Sequence, residues 1–220
     1  MNTGAPTLYG VGLGPGDPDL LTRKAIRIIK KVPVAMVPFV GAESRAARVV
    51  RAVDPEATVV GYHAPMTRDP EERDRAYSKA AETLAELLER FHEVAVCNLG
   101  DPTLYATFWH IVERIPLEDF EIELVPGIPA GLLCAARIGR PLAMESDKVL
   151  ICTREPPEDL EGMDTVILYK PTRRGVERLL REGFEVYACR ELGFEGERVE
   201  RVNGAEFEPS YLCTIVALRP

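Results

Sequence analysis

Short apolar runs and stretches of helical periodicity alternate along this chain, and the alternation predicts its elements. Thr7–Gly12 reads as a strand that ends in a glycine-rich turn. Leu21, Ala25, Ile28 and Ile29 then form one apolar stripe, with Asp17 or Thr22 as the helix cap and Lys30 and Lys31 at its carboxyl end. A buried strand over 34–37 is closed by Pro38; a helix over 44–53, a strand over 57–60 and a loop over 61–70 follow. The clearest helix spans 71–91, where Tyr77, Ala80, Ala81, Leu84, Leu87, Leu88 and Phe91 share one face. After it come a strand over 94–99 and a helix through Trp109 to about Arg114.

Ile115-Pro-Leu-Glu-Asp119 is the best boundary, dividing the chain into domains over 1–115 and 120–220. Beyond it the pattern restarts with strands over 121–125, 148–152 and 165–169, and helices over 130–138 and 173–182. Strands over 184–189, 198–202 and 211–218 complete it, with no helix between the last two. Repeated βα units in the first half predict a parallel sheet, and the second half predicts a mixed one. The fold class expected is two α/β domains with a ligand cleft between them.

With 220 residues and 46% hydrophobic content, either domain can bury a core. No apolar run approaches the ~20 residues of a membrane helix, and residues 1–6 show no secretory pattern, so the expected location is the cytoplasm. Cys97, Cys134, Cys152, Cys189 and Cys213 are odd in number and scattered, which reads as buried reduced thiols. His63, His92 and His110 are scattered too, and no metal site is predicted. A net charge of -8 argues against a nucleic-acid partner, and an anionic ligand would have to be met by local basic residues.

Three glycine turns follow strands. Gly12-Leu-Gly-Pro-Gly-Asp-Pro18 has the spacing G-x-G-x-G, not the dinucleotide fingerprint G-x-G-x-x-G. The apolar run over 34–39 stands where that fingerprint needs an acid, and Asp17 would repel a pyrophosphate. Gly100-Asp101-Pro102 is a second such turn, and Pro126-Gly-Ile-Pro-Ala130 a third. Open α/β sheets bind ligands beyond the carboxyl ends of their strands. Carboxylates there suit a ligand with hydroxyls or positive charge; equally, each Asp simply caps the helix behind it.

The set Tyr9-Gly-Val-Gly-Leu-Gly-Pro-Gly-Asp-Pro-Asp-Leu-Leu-Thr22, Gly100-Asp-Pro-Thr-Leu-Tyr105 and Val125-Pro-Gly-Ile128 resembles the signatures of the tetrapyrrole methylases, in order and in spacing. Within that family the chain resembles most the precorrin-2 / cobalt-factor II C20-methyltransferase branch. Pro65-Met-Thr-Arg-Asp69, Leu99-Gly-Asp-Pro-Thr-Leu-Tyr-Ala-Thr-Phe108, Cys134-Ala-Ala-Arg-Ile-Gly-Arg-Pro-Leu142 and Val166-Ile-Leu-Tyr-Lys170 carry that likeness. Pro129 stands where the family commonly has Ser or Thr, and Ala106 replaces a common Ser.

The resemblance implies a class III methyltransferase-like fold, a homodimer, a tetrapyrrole substrate and S-adenosylmethionine as donor, leaving S-adenosylhomocysteine. It implies cofactor contacts at Pro15, Leu99, Gly100, Asp101, Leu104, Thr107, Pro129, Ala130 and Tyr169. Asp101 and Tyr105 are the candidate bases for the proton lost after methyl transfer to carbon. Arg68, Lys148, Lys170, Arg173 and Arg174 are the candidates for the substrate carboxylates. The alternatives are a sister methylase acting at another ring position, a diphthine synthase-type methyltransferase and, more remotely, a nucleotide-binding oxidoreductase or a non-catalytic ligand-binding module.

Overall fold

The computed structural model describes residues 5–39, 44–67, 69–116, 118, 120–204, 207–210 and 212–220. Two compact units divide the chain, Met1–Pro129 and Ala130–Pro220.

The first unit carries five strands: β1 (Thr7–Gly12), β2 (Val34–Phe39), β3 (Val59–His63), β4 (Glu93–Asn98) and β5 (Glu121–Val125). They pair in the order β3-β2-β4-β1-β5, every neighbour parallel. The helices are α1 (Arg23–Lys31), α2 (Arg45–Val53), α3 (Pro70–Phe91) and α4 (Phe108–Val112). Thr22 caps α1, accepting from the Ala25 amide, and Ser44 and Asp69 cap α2 and α3 in the same way. Asp17 caps only the short 3-10 turn Pro18–Leu20.

This strand order fixes where a ligand can go. The chain leaves β1 over β4 to reach β2, and leaves β4 over β1 to reach β5. With right-handed crossovers these connections lie on opposite faces of the sheet. Accordingly α3 and α4 share one core, with Tyr77, Leu84, Phe108 and Ile111 against Leu8, Met36 and Val96. The helices α1 and α2 pack against each other, with Ala25, Ile29, Val49 and Val50 buried. The carboxyl ends of β1 and β4 therefore flank the topological switch point, the usual ligand position in an open α/β sheet.

Several boundaries differ from those the pattern predicts. Strand β5, expected to open the second domain, pairs with β1, so the units part after Pro129 and not near residue 115. Strand β3 runs through Tyr62 to His63, inside the expected loop, and α4 stops at Val112.

In the second unit β6 (Val149–Thr153), β7 (Thr165–Tyr169), β8 (Glu185–Arg190), β9 (Arg198–Val202) and β10 (Cys213–Leu218) pair in the order β6-β7-β10-β8-β9. Only β6 and β7 are parallel, which makes the sheet mixed. Helix α6 (Arg173–Arg181) buries Val176 and Leu179 against Leu168, Val186 and Ile215. Helix α5 (Ala130–Ile138) covers the other face, with Gly131 against Ile167. There Cys134 is disulfide-bonded to Cys189, which corrects the expectation that all five cysteines are reduced. Both reside in apolar runs far apart in the chain, so nothing local announces the pairing.

Candidate functional site

Three backbone turns meet at the switch point. The Leu13 amide donates to the Asn98 carbonyl at 2.8 Å, and Gly14 and Gly100 exchange amide-to-carbonyl bonds of 3.2 and 2.6 Å. Packing here is backbone on backbone. A Cβ on Gly127 would stand 2.2 Å from the Gly100 carbonyl oxygen, and one on Gly12 would stand 2.5 Å from the Gly127 nitrogen. Gly100 differs from both. Its φ is +77°, and a Cβ there would meet nothing within 4 Å. The peptide after β4 thus turns a bare backbone surface toward open space, where a ligand can approach closely.

Asp101 holds this junction together. It is buried, its Oδ1 accepts from the Thr103 amide (2.8 Å) and hydroxyl (2.5 Å), and its Oδ2 accepts from the Gly127 amide at 3.0 Å. Desolvation works to raise its pKa, but those three hydrogen bonds outweigh it and hold the carboxyl below its ordinary value. A carboxylate with both oxygens engaged and a depressed pKa is a poor general base. In this structure Asp101 therefore holds the junction, and Asp17 likewise turns its carboxylate onto the Asp19 amide.

Asp101→Asn should destabilise the protein by about 1–3 kcal/mol, because an amide NH2 then faces an N–H or O–H donor. The sign of the pH dependence follows from the depressed pKa. Stability from this group is full above the unfolded carboxyl value of about 4 and is lost as pH falls through the lower folded value. Urea unfolding of both proteins should show the difference shrinking on acidification; a gap unchanged down to about pH 3 would contradict this role.

A second polar cluster lies beside the junction. Pairing of β2 with β4 ends at Met36 and Val96, and Pro38 has no N–H to continue it. Beyond that point Tyr62 of β3 and Asn98 of β4 are linked by side chains. Asn98 Nδ2 donates to Tyr62 Oη at 3.1 Å and to Thr107 Oγ1 at 2.8 Å, and the two hydroxyl oxygens are 2.7 Å apart. Burial raises the Tyr62 phenol well above its ordinary pKa, against hydrogen bonds with Thr107 and Asn98 that lower it, so it stays protonated. Asn98 Oδ1 is buried without a partner among the described residues, an arrangement that costs about 1–3 kcal/mol. The one signal for this cluster in the sequence is an asparagine closing the apolar run Val94-Ala-Val-Cys-Asn98.

The sequence profile of the tetrapyrrole (corrin/porphyrin) methylases matches residues 7–208. The chain belongs to that family. It is 31% identical to the probable cobalt-precorrin-2 C(20)-methyltransferase of Methanocaldococcus jannaschii, over all of this chain and 99% of the relative. It is 32% identical to the cobalt-precorrin-2 C(20)-methyltransferase of Salmonella typhimurium, over 74% of this chain and 72% of that one. The fold matches a uroporphyrin-III C-methyltransferase of Thermus thermophilus, solved with S-adenosylhomocysteine, at a TM-score of 0.69 and 22% identity, covering 96% of each chain.

In this methylase, Pro15 is buried, while Leu99, Gly100, Leu104 and Thr107 are half-buried around the junction. Tyr105 stands 56% exposed on the same loop with φ +51°. Pro129 closes the first unit. Ala130 begins α5, and the Tyr169 hydroxyl accepts from the Gly131 amide at 3.3 Å, so the second unit brings Ala130 and Tyr169 together. The basic candidates do not form one group. Lys170, Arg173 and Arg174 lie exposed beyond the carboxyl end of β7, whereas Lys148 precedes β6 at the opposite end of the same parallel pair. Arg68 lies outside the described residues. Among the described residues no group of His, Cys, Asp or Glu could hold a metal, and no helix is long and apolar enough to cross a membrane.

Proposed function

We propose that this methylase transfers a methyl group from S-adenosylmethionine to C20 of precorrin-2 or cobalt-factor II in cobalamin biosynthesis. The observation that carries the donor is the bare Gly100 backbone, facing open space at the sheet's switch point. Full-length similarity to a protein named for the C20 reaction supports the ring position.

When bound, the donor supplies an electrophilic methyl group; everything else falls to the chain. Leu99 and Gly100 offer backbone contacts and Leu104 an apolar one, with Pro15 beneath. Pro129, which closes the first unit, and Ala130 and Tyr169 of the second are the corresponding proposals. Aligning the two reactants and excluding water is the main catalytic task, worth several powers of ten in rate without any nucleophilic side chain. Of the two candidates, Asp101 and Tyr105, the exposed Tyr105 is the one proposed to take the proton from the methylated carbon. The substrate's carboxylates are proposed to meet Lys170, Arg173 and Arg174. A homodimer in the cytoplasm completes the proposal.

Incubation with methyl-labelled S-adenosylmethionine and precorrin-2, with and without cobalt, tests this directly. NMR should place the new methyl on C20. A methyl on another ring carbon would assign the chain to a sister reaction, and no transfer to any tetrapyrrole would refute the activity.

A further inference from the structure

Counting protons in the Asn98–Tyr62–Thr107 triangle fixes the orientation of its amide. Asn98 Nδ2 carries two protons and the two hydroxyls one each. Three contacts, of 3.1, 2.8 and 2.7 Å, need only three of these four. Reversing the amide would leave two protons for three contacts and bury both N–H groups without an acceptor. The observed orientation is therefore retained, and one hydroxyl proton is left over.

Tyr62 is 4% exposed, and its phenol has no other acceptor among the described residues. Thr107 is only half-buried. Donation from Tyr62 to Thr107 thus leaves the spare proton on Thr107, where it can point out of the triangle. Both lone pairs of Thr107 Oγ1 are then occupied, by Asn98 and Tyr62, and only its proton faces outward. The partner met there must be an acceptor. Asn98 Oδ1, buried without a partner among the described residues, fits this reading: the side chain is present for its two-donor end.

We propose that Tyr62 and Asn98 are positioning residues that lock the Thr107 hydroxyl as an outward hydrogen-bond donor, and that this donor meets a ligand carboxylate. The inference rests on the proposed function, in which both reactants carry carboxylates: the amino-acid end of the donor and the acid side chains of the tetrapyrrole. Neither Tyr62 nor Asn98 touches the ligand; each acts through Thr107.

Calorimetry with S-adenosylhomocysteine and with 5′-methylthioadenosine, which lacks the amino-acid part, separates the two sources. If the carboxylate is the donor's, Thr107→Val should weaken S-adenosylhomocysteine by about tenfold or more and leave methylthioadenosine within about twofold. Thr107→Ser should restore the affinity, and Tyr62→Phe, which frees one lone pair so that the hydroxyl can turn, should lose about threefold on the first ligand only. If the carboxylate is the substrate's, Thr107→Val should leave both nucleosides unchanged and raise the tetrapyrrole KM about tenfold at constant kcat. Thr107→Ala serves as the second variant should valine overpack. Equal weakening of both nucleosides, or no change in either affinity or KM, overturns the inference. Wild-type protein that binds neither nucleoside and methylates no tetrapyrrole overturns the proposed function first, and this inference with it.

Discussion

Gly127→Ala is expected to lower the thermal midpoint by roughly 6–12 °C, corresponding to about 3 kcal/mol or more at two to four degrees per kcal/mol. The new Cβ would stand 2.2 Å from the Gly100 carbonyl oxygen and 2.9 Å from Gly12 Cα, and all the crowded atoms are backbone. Flexible side chains can swing aside, but here two strand-end turns must separate, so the penalty sits at or above the upper end for overpacking, about 3 kcal/mol. The same separation lengthens the Asp101–Gly127 hydrogen bond, now 3.0 Å. Gly100→Ala provides the contrast. Its Cβ meets nothing, so the variant bears only the left-handed backbone penalty of about 1–2 kcal/mol. Yet that Cβ protrudes from the surface proposed to meet the donor, and S-adenosylhomocysteine affinity should fall far more than stability does. Scanning calorimetry and titration of both variants check the pair. A Gly127→Ala midpoint within about 2 °C of wild type would show the junction to be looser than its geometry implies.

The same junction shows what the sequence could and could not reveal. Strand-and-helix alternation was enough for two α/β units, because period and capping are local properties and Thr22 caps α1 where its spacing puts it. The pairing of β5 with β1 was not legible, since sheet order is not chain order and a half-buried edge strand looks alike in either sheet. At the site, the three glycine turns stand out as motifs, and they do converge. The role of Asp101 could not be read the same way. A carboxylate in a strand-end turn looks identical whether it faces a ligand or, as here, the Gly127 amide, 26 residues further along the chain. Tyr62 and Lys148 mark the same limit from opposite sides. One was hidden in an expected loop, and the other was grouped by charge with residues at the far end of its strand pair.

Removing the Cys134–Cys189 bond is expected to destabilise the second unit by about 2–4 kcal/mol, since it closes a loop with a sequence separation of 55 residues. The bond ties α5 to β8. It lies one helical turn beyond Ala130 and Gly131, so it also steadies the end of α5 that the Tyr169 hydroxyl engages. Thiol counting in denatured, unreduced protein should alkylate Cys97, Cys152 and Cys213 and leave Cys134 and Cys189 unmodified. Urea unfolding followed by circular dichroism should then show reductant shifting the wild type to the midpoint of the Cys134→Ala/Cys189→Ala double variant, with no effect on that variant itself. Trp109, the chain's single tryptophan, sits in α4 and reports on the first unit. Its fluorescence separates loss of the staple from general unfolding. Five alkylated cysteines without reductant would mean that the fold brings the two sulfurs together but does not join them, and the stability gap between reduced and unreduced protein should then vanish.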